Sequence, residues 1–242
     1  MANVQTEAQI KGLGTIVYCN DASFNVGLDA VLRGSNGLIS LRDLAYARIQ
    51  AGKAMSVSQN GSFVREGSLF VPKTGNKRIW LRDSLMLLDP SDAVKAHRKC
   101  DEYLLPKSFN VDAYLEQIGK DNYLVLKDTS AVPTNRFGEH ERMVWAFQDQ
   151  AEKYGQFLKS VGIHHVKIWM YPDYDEHIDM QLGPFAYQLW LRGLKNNSRI
   201  DGGRSLDRNT WVRGVRRESA EGGAHPGGLE KAVMSGVGGT RK

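Results

Sequence analysis

The sequence predicts an α+β protein: a small antiparallel β-meander packed with several helices, an extended N-terminal arm and a basic, Gly-rich C-terminal tail. Three observations carry this. Short alternating runs between residues 54 and 88 are punctuated by Asn60-Gly61, Glu66-Gly67 and Lys73-Thr-Gly-Asn76, and Asn-Gly is a strong hairpin signal. Apolar stripes at helical spacing mark helices over 40–51 and 139–160, and Pro90 and Pro106 bound another over 90–105. From Lys195 to Lys242 there are ten Lys and Arg against five Asp and Glu, which equals the net charge of +5 of all 242 residues. The domain reading is an arm over 1–13, a body over 14–195 and a tail over 196–242.

Each element has a local reason. Thr15–Cys19 is a short apolar strand, and Asn25–Leu32 a helical turn closed by Gly34. Ser40 is an N-cap with Asp43 three residues on, Leu41, Leu44, Ala45, Arg48 and Ile49 follow at helical spacing, and Gly52 is the stop. The runs Ala54–Ser58, Ser62–Arg65, Ser68–Val71 and Arg78–Arg82 make the meander. Pro90 opens a helix that Pro106 closes. Asn110 caps a shorter helix, Tyr123–Leu126 is a buried strand, and Asp128–Gly138 has loop composition. The helix over 139–160 carries Met143, Phe147, Ala151, Tyr154 and Leu158 as one stripe. Val166–Tyr171 is a strand stopped by Pro172, and Pro184–Leu194 is read as a helix. Beyond Asn196 there is little to bury except Trp211, so the tail is expected to be dispensable for folding.

Composition narrows the function classes. Hydrophobic residues at 41% support a core, and a pI of about 9.1 makes a polyanion a reasonable partner. Two cysteines, Cys19 and Cys100, make no disulfide scaffold, and no secretory signal or spanning run stands out, so an intracellular, cytoplasmic protein without a membrane role is expected. No phosphate-binding glycine loop or serine-nucleophile elbow is present, and His97 with Cys100 lacks a second ligand pair for zinc. No cofactor is expected.

Two constellations remain. Period-2 alternation puts Arg78, Trp80 and Arg82 on one side of their strand, and His165, Lys167, Trp169 and Tyr171 on one side of theirs. Aromatic rings offer stacking platforms to bases, and the cations neutralise phosphates. In the tail, Arg199, Arg204, Arg208, Arg213, Arg216 and Arg217 suit phosphate contacts without sequence specificity. The second constellation is Asp173, Asp175, His177 and Asp179, an oxygen-rich set with one imidazole that suits a divalent metal. Three functions follow. The first is a non-enzymatic protein that binds single-stranded nucleic acid, RNA included, or an assembly protein such as an oligomeric viral or mobile-element structural subunit inside a cell or virion. The second is a metal-dependent phosphodiester-cleaving enzyme. The third is a protein-interaction subunit without nucleic acid.

Overall fold

The computed structural model describes residues 2–35, 37–72, 76–98, 103–106, 108–170, 183–196, 198–203, 206 and 211–217. Among these residues, eleven strands are joined into one mixed sheet. In chain order they are β1 (Gln5–Ile10), β2 (Gly14–Cys19), β3 (Ser62–Val71), β4 (Lys77–Leu81), β5 (Tyr103–Leu104), β6 (Tyr123–Leu126), β7 (Val132–Pro133), β8 (His165–Met170), β9 (Phe185–Leu191), β10 (Arg199–Gly202) and β11 (Val212–Arg216). The helices are α1 (Phe24–Gly34), α2 (Leu41–Ala51), the single turn α3 (Ser56–Gln59), α4 (Pro90–Arg98), α5 (Val111–Ile118), α6 (Glu141–Phe147) and α7 (Ala151–Ser160).

The main path through the sheet runs β1-β2-β11-β3-β9-β10-β8-β7. β11 runs parallel to β3, and β10 parallel to β8; the other pairings are antiparallel. The sheet forks at β3. Its first residues lie between β11 and β9, and after an irregularity between Phe63 and Gly67 its remainder lies between β4 and β9. A bulge of this kind bends a strand and frees one edge for a new partner. Gly67 belongs there, because a Cβ would sit 2.5 Å from the Ser84 hydroxyl.

Each face of the sheet has its own core. One gathers Leu44, Trp80, Phe147, Tyr154, Val166 and Leu189 beneath α2, α6 and α7. The other gathers Phe24, Val31, Phe63, Leu69, Ile79, Trp190 and Val212 beneath α1 and α4. Arg48 is wholly buried in the first with no carboxylate partner among the described residues: it donates to Val57 O at 3.1 Å, Tyr154 OH at 2.9 Å and Asn60 O at 3.1 Å.

This architecture corrects the expected fold class. The sheet is large and mixed, not a small antiparallel meander, and the region 54–88 supplies only β3 and β4. Ser62–Arg65 and Ser68–Val71 are halves of one ten-residue strand, and Glu66-Gly67 is the bulge rather than a turn. The expected helix at 184–194 is β9, a strand flanked by β3 and β10; with both faces covered, FAYQLWL has no apolar period to read. The long helix over 139–160 breaks at Gln148, whose φ of 52° lies outside the helical region. The segment read as an arm contains β1, hairpinned to β2, and the span read as tail contains β10 and β11.

A buried carboxylate sits at the fork. Glu66 is 1% exposed, and its Oε2 accepts the Leu41 amide at 2.9 Å. Burial pushes its carboxyl up from the ordinary 4.5 to about 7, against the opposing pull of the Leu41 amide and the Arg82 and Arg65 charges. Between pH 4.5 and 7 the folded chain therefore holds a proton that the unfolded chain has released. The contribution of this group to stability falls through that window and is level above it. Glu66→Gln should remove a fall on the order of 3 kcal/mol from the urea-unfolding profile across those pH values. A profile identical to that of the wild-type protein would refute this assignment.

Candidate functional site

Alternation along β4 is as the sequence predicts, with Arg78 and Trp80 on one side and Ile79 and Leu81 on the other. That side is not open. Trp80 is 0% exposed and lies 5.9 Å from the Trp145 ring of α6, so it has no free face to offer a base. The two cations do not hold the surface open, because each finds a ring. Arg78 lies 5.1 Å from the Phe70 ring and donates to Asn76 O at 3.4 Å, and the Arg82 guanidinium sits 3.9 Å over Trp145. Burial draws the Arg82 guanidinium below its ordinary value.

β8 differs. His165 and Lys167 are exposed and Trp169 half-buried, while Val166, Ile168 and Met170 are buried. The parallel partner β10 sets Arg199 beside Lys167 and Asp201 beside Trp169. The Arg199 guanidinium lies 5.6 Å from the centre of the Trp169 ring. Asp201 is 3% exposed and anchors two cations. Arg192 Nε donates to its Oδ2 at 3.0 Å, Arg199 Nη2 donates to the same oxygen at 3.0 Å, and Arg199 Nε is ion-paired to Oδ1. Across Asp201 on the other side, β9 brings Trp190 into the same row. The result is one sheet face with three cations, one carboxylate and a partly accessible indole. The carboxylate holds the guanidinium groups of Arg192 and Arg199 in place, which lowers the entropy cost of engaging a ligand.

The other expected residues lie elsewhere. Arg213 is wholly buried: its Nε and Nη2 grip Glu7 at 2.6 and 2.8 Å, and its Nη1 donates to Gly61 O at 2.7 Å. Arg216 donates to Gly34 O at 2.9 Å, and Arg217 pairs with Asp43 at 3.3 Å. Tyr171, Arg204 and Arg208 lie outside the described residues, as do Asp173, Asp175, His177 and Asp179. Among the described residues, no three His, Cys, Asp or Glu come together to hold a metal.

Sequence reasoning missed Arg192 and Asp201. Arg192 fell in the segment read as a helix. The signal available for Asp201 was the alternation Arg199-Ile200-Asp201, in a stretch whose glycines and charges read as tail.

No family model matches this chain, and no curated protein matches it. A solved structure is similar over 86% of this chain and 100% of its own, with a TM-score of 0.61 and 17% identity; it is described as the accommodation of massive sequence variation in Nanoarchaeota by the C-type lectin fold. The likeness is one of fold: the mixed sheet and its helices resemble a C-type lectin fold. Among the described residues, no helix is long and apolar enough to cross a membrane.

Proposed function

We propose that this chain is a non-enzymatic binding protein that takes single-stranded nucleic acid on the face made by β8, β10 and the end of β9. The observation that carries the reading is the lateral pair of Lys167 on β8 and Arg199 on β10, with the half-buried Trp169 ring two residues along β8. A base stacks on the indole while phosphates on either side meet Lys167, Arg199 and Arg192. Stacking is tolerant of base identity, so affinity without strict sequence preference follows. The fold of the structural neighbour is described as accommodating massive sequence variation. For this chain that supports a division of labour, in which Val166, Ile168 and Met170 keep the core while His165, Lys167 and Trp169 face a ligand.

Fluorescence anisotropy with a labelled oligouridylate tests this. Trp169→Ala should weaken binding by about 1–3 kcal/mol. Its thermal stability should fall by less than the roughly 3–5 kcal/mol of a large core truncation. Lys167→Ala should reduce the slope of log affinity against log salt by about 0.7, one phosphate contact on a single strand. Absence of binding by the wild-type protein at low salt would overturn the reading.

A further inference from the structure

We infer that a second site, a cleft between the tip of the β1–β2 hairpin and the first turn of α2, binds a phosphate group. The cleft has a volume of about 650 Å³ and is lined by Gln9, Lys11, Gly12, Gly14, Arg42 and Arg217, among others. Its three cations come from three separate parts of the chain: the β1–β2 turn, α2 and the residue after β11. The hairpin tip turns through Gly12 at φ 79° and Gly14 at φ 115°, conformations that favour glycine. It is pinned by buried Leu13, by the Leu13 amide on Ile10 O at 3.0 Å, and by the Tyr46 hydroxyl on the Lys11 carbonyl at 3.0 Å. Arg42 is clamped by Asp149 at 2.7 and 3.0 Å and by Asp43 at 2.9 Å. Arg217 is drawn in by Asp43 at 3.3 Å.

The exposed Lys11 side chain in the cleft points to an anion. Both oxygens of Asp149 serve Arg42, and those of Asp43 serve Arg42 and Arg217. Among the described residues, Lys11 has no ion-pair partner, and the cleft gathers it with Arg42 and Arg217. Donors arriving from three parts of the chain suit the three terminal oxygens of a phosphate better than the two coplanar oxygens of a carboxylate. The cleft lies at the β1–β2 end of the sheet and shares no residue with the face carrying Trp169.

Calorimetric titration of the full chain tests this with uridine monophosphate, inorganic phosphate, uridine and an oligouridylate lacking a terminal phosphate. Uridine monophosphate and phosphate should bind where uridine does not. Lys11→Ala and Arg217→Ala should each weaken the binding roughly tenfold, the loss of one charged contact. Both side chains are exposed, and an unchanged melting temperature checks that the variants fold. Loss of uridine monophosphate binding in the variants identifies a small phosphorylated ligand. Loss confined to the oligouridylate identifies backbone phosphate as the source. If the variants bind both as tightly as the wild-type protein, or the wild-type protein binds neither, the inference is overturned. Trp169→Ala should leave uridine monophosphate affinity unchanged, which separates this test from that of the β8 face.

Discussion

Arg213→Ala should destabilise the protein by about 3–5 kcal/mol, because it strands a buried carboxylate without its counter-charge. The Glu7 side chain is 3% exposed and that of Arg213 0%, and the pair is bidentate at 2.6 and 2.8 Å. The same guanidinium satisfies Gly61 O and lies 4.8 Å from the Trp211 ring, which in turn stacks on Tyr18 at 4.9 Å. Truncation therefore loses an ion pair, a carbonyl partner and an aromatic contact together. Urea denaturation measures the loss. Adding Glu7→Gln should recover part of it, since the stranded charge is then gone, and the non-additivity measures the coupling. A loss under about 1 kcal/mol, as at an exposed pair, would mean that water already screens the interaction.

A chain ending at Gly203 should show no cooperative unfolding, whereas one ending at Arg217 should keep it. Val212–Arg216 pairs with Thr15–Cys19 along one edge and meets β3 at Phe63 along the other. Removing β11 takes Val212 and Val215 from the two cores and leaves the facing edges of β2 and β3 without a partner. Gly214 shows how closely the strand is fitted, since a Cβ there would stand 2.3 Å from the Ser35 hydroxyl and 2.5 Å from Val31. Near-ultraviolet circular dichroism with thermal melts separates the two chains. A sharp transition in the shorter one would show that the sheet closes without β11. The sequence reading expected the opposite, a folded body after loss of 196–242, because it saw charge and glycine in that span and no strand.

What the sequence reveals is what local chemistry determines. The helix α2 is legible because its signals are adjacent: the Ser40 hydroxyl accepts the Asp43 amide at 3.0 Å, and Gly52 closes the helix at φ 77°. The sidedness of β4 and β8 is legible because alternation is a property of the strand alone. Whether a side faces water is not. Trp80, between Arg78 and Arg82, is buried beside Trp145 of α6, whereas Trp169, next to Lys167, is half-buried on the side of β8 away from Val166, Ile168 and Met170. β9 hides because a strand covered on both faces has no period. β11 hides because Arg213 looks like a surface cation, and the carboxylate that makes it a core residue lies 206 residues away.

The place of β11 also sets the order in which the molecule can be built. The bond from Arg213 to Gly61 spans 152 residues of chain. At roughly 5–20 residues per second, a ribosome needs about 8–30 s to travel from one end of that bond to the other. During that interval β2 and β3 exist with open facing edges, and the strand that belongs between them has not been synthesised. Pairing over such sequence separations is slow even in the finished chain. The nascent protein is therefore most vulnerable to edge-to-edge association in the time just before its C-terminal strand emerges, and holding it apart from its neighbours then should raise the yield of folded molecules.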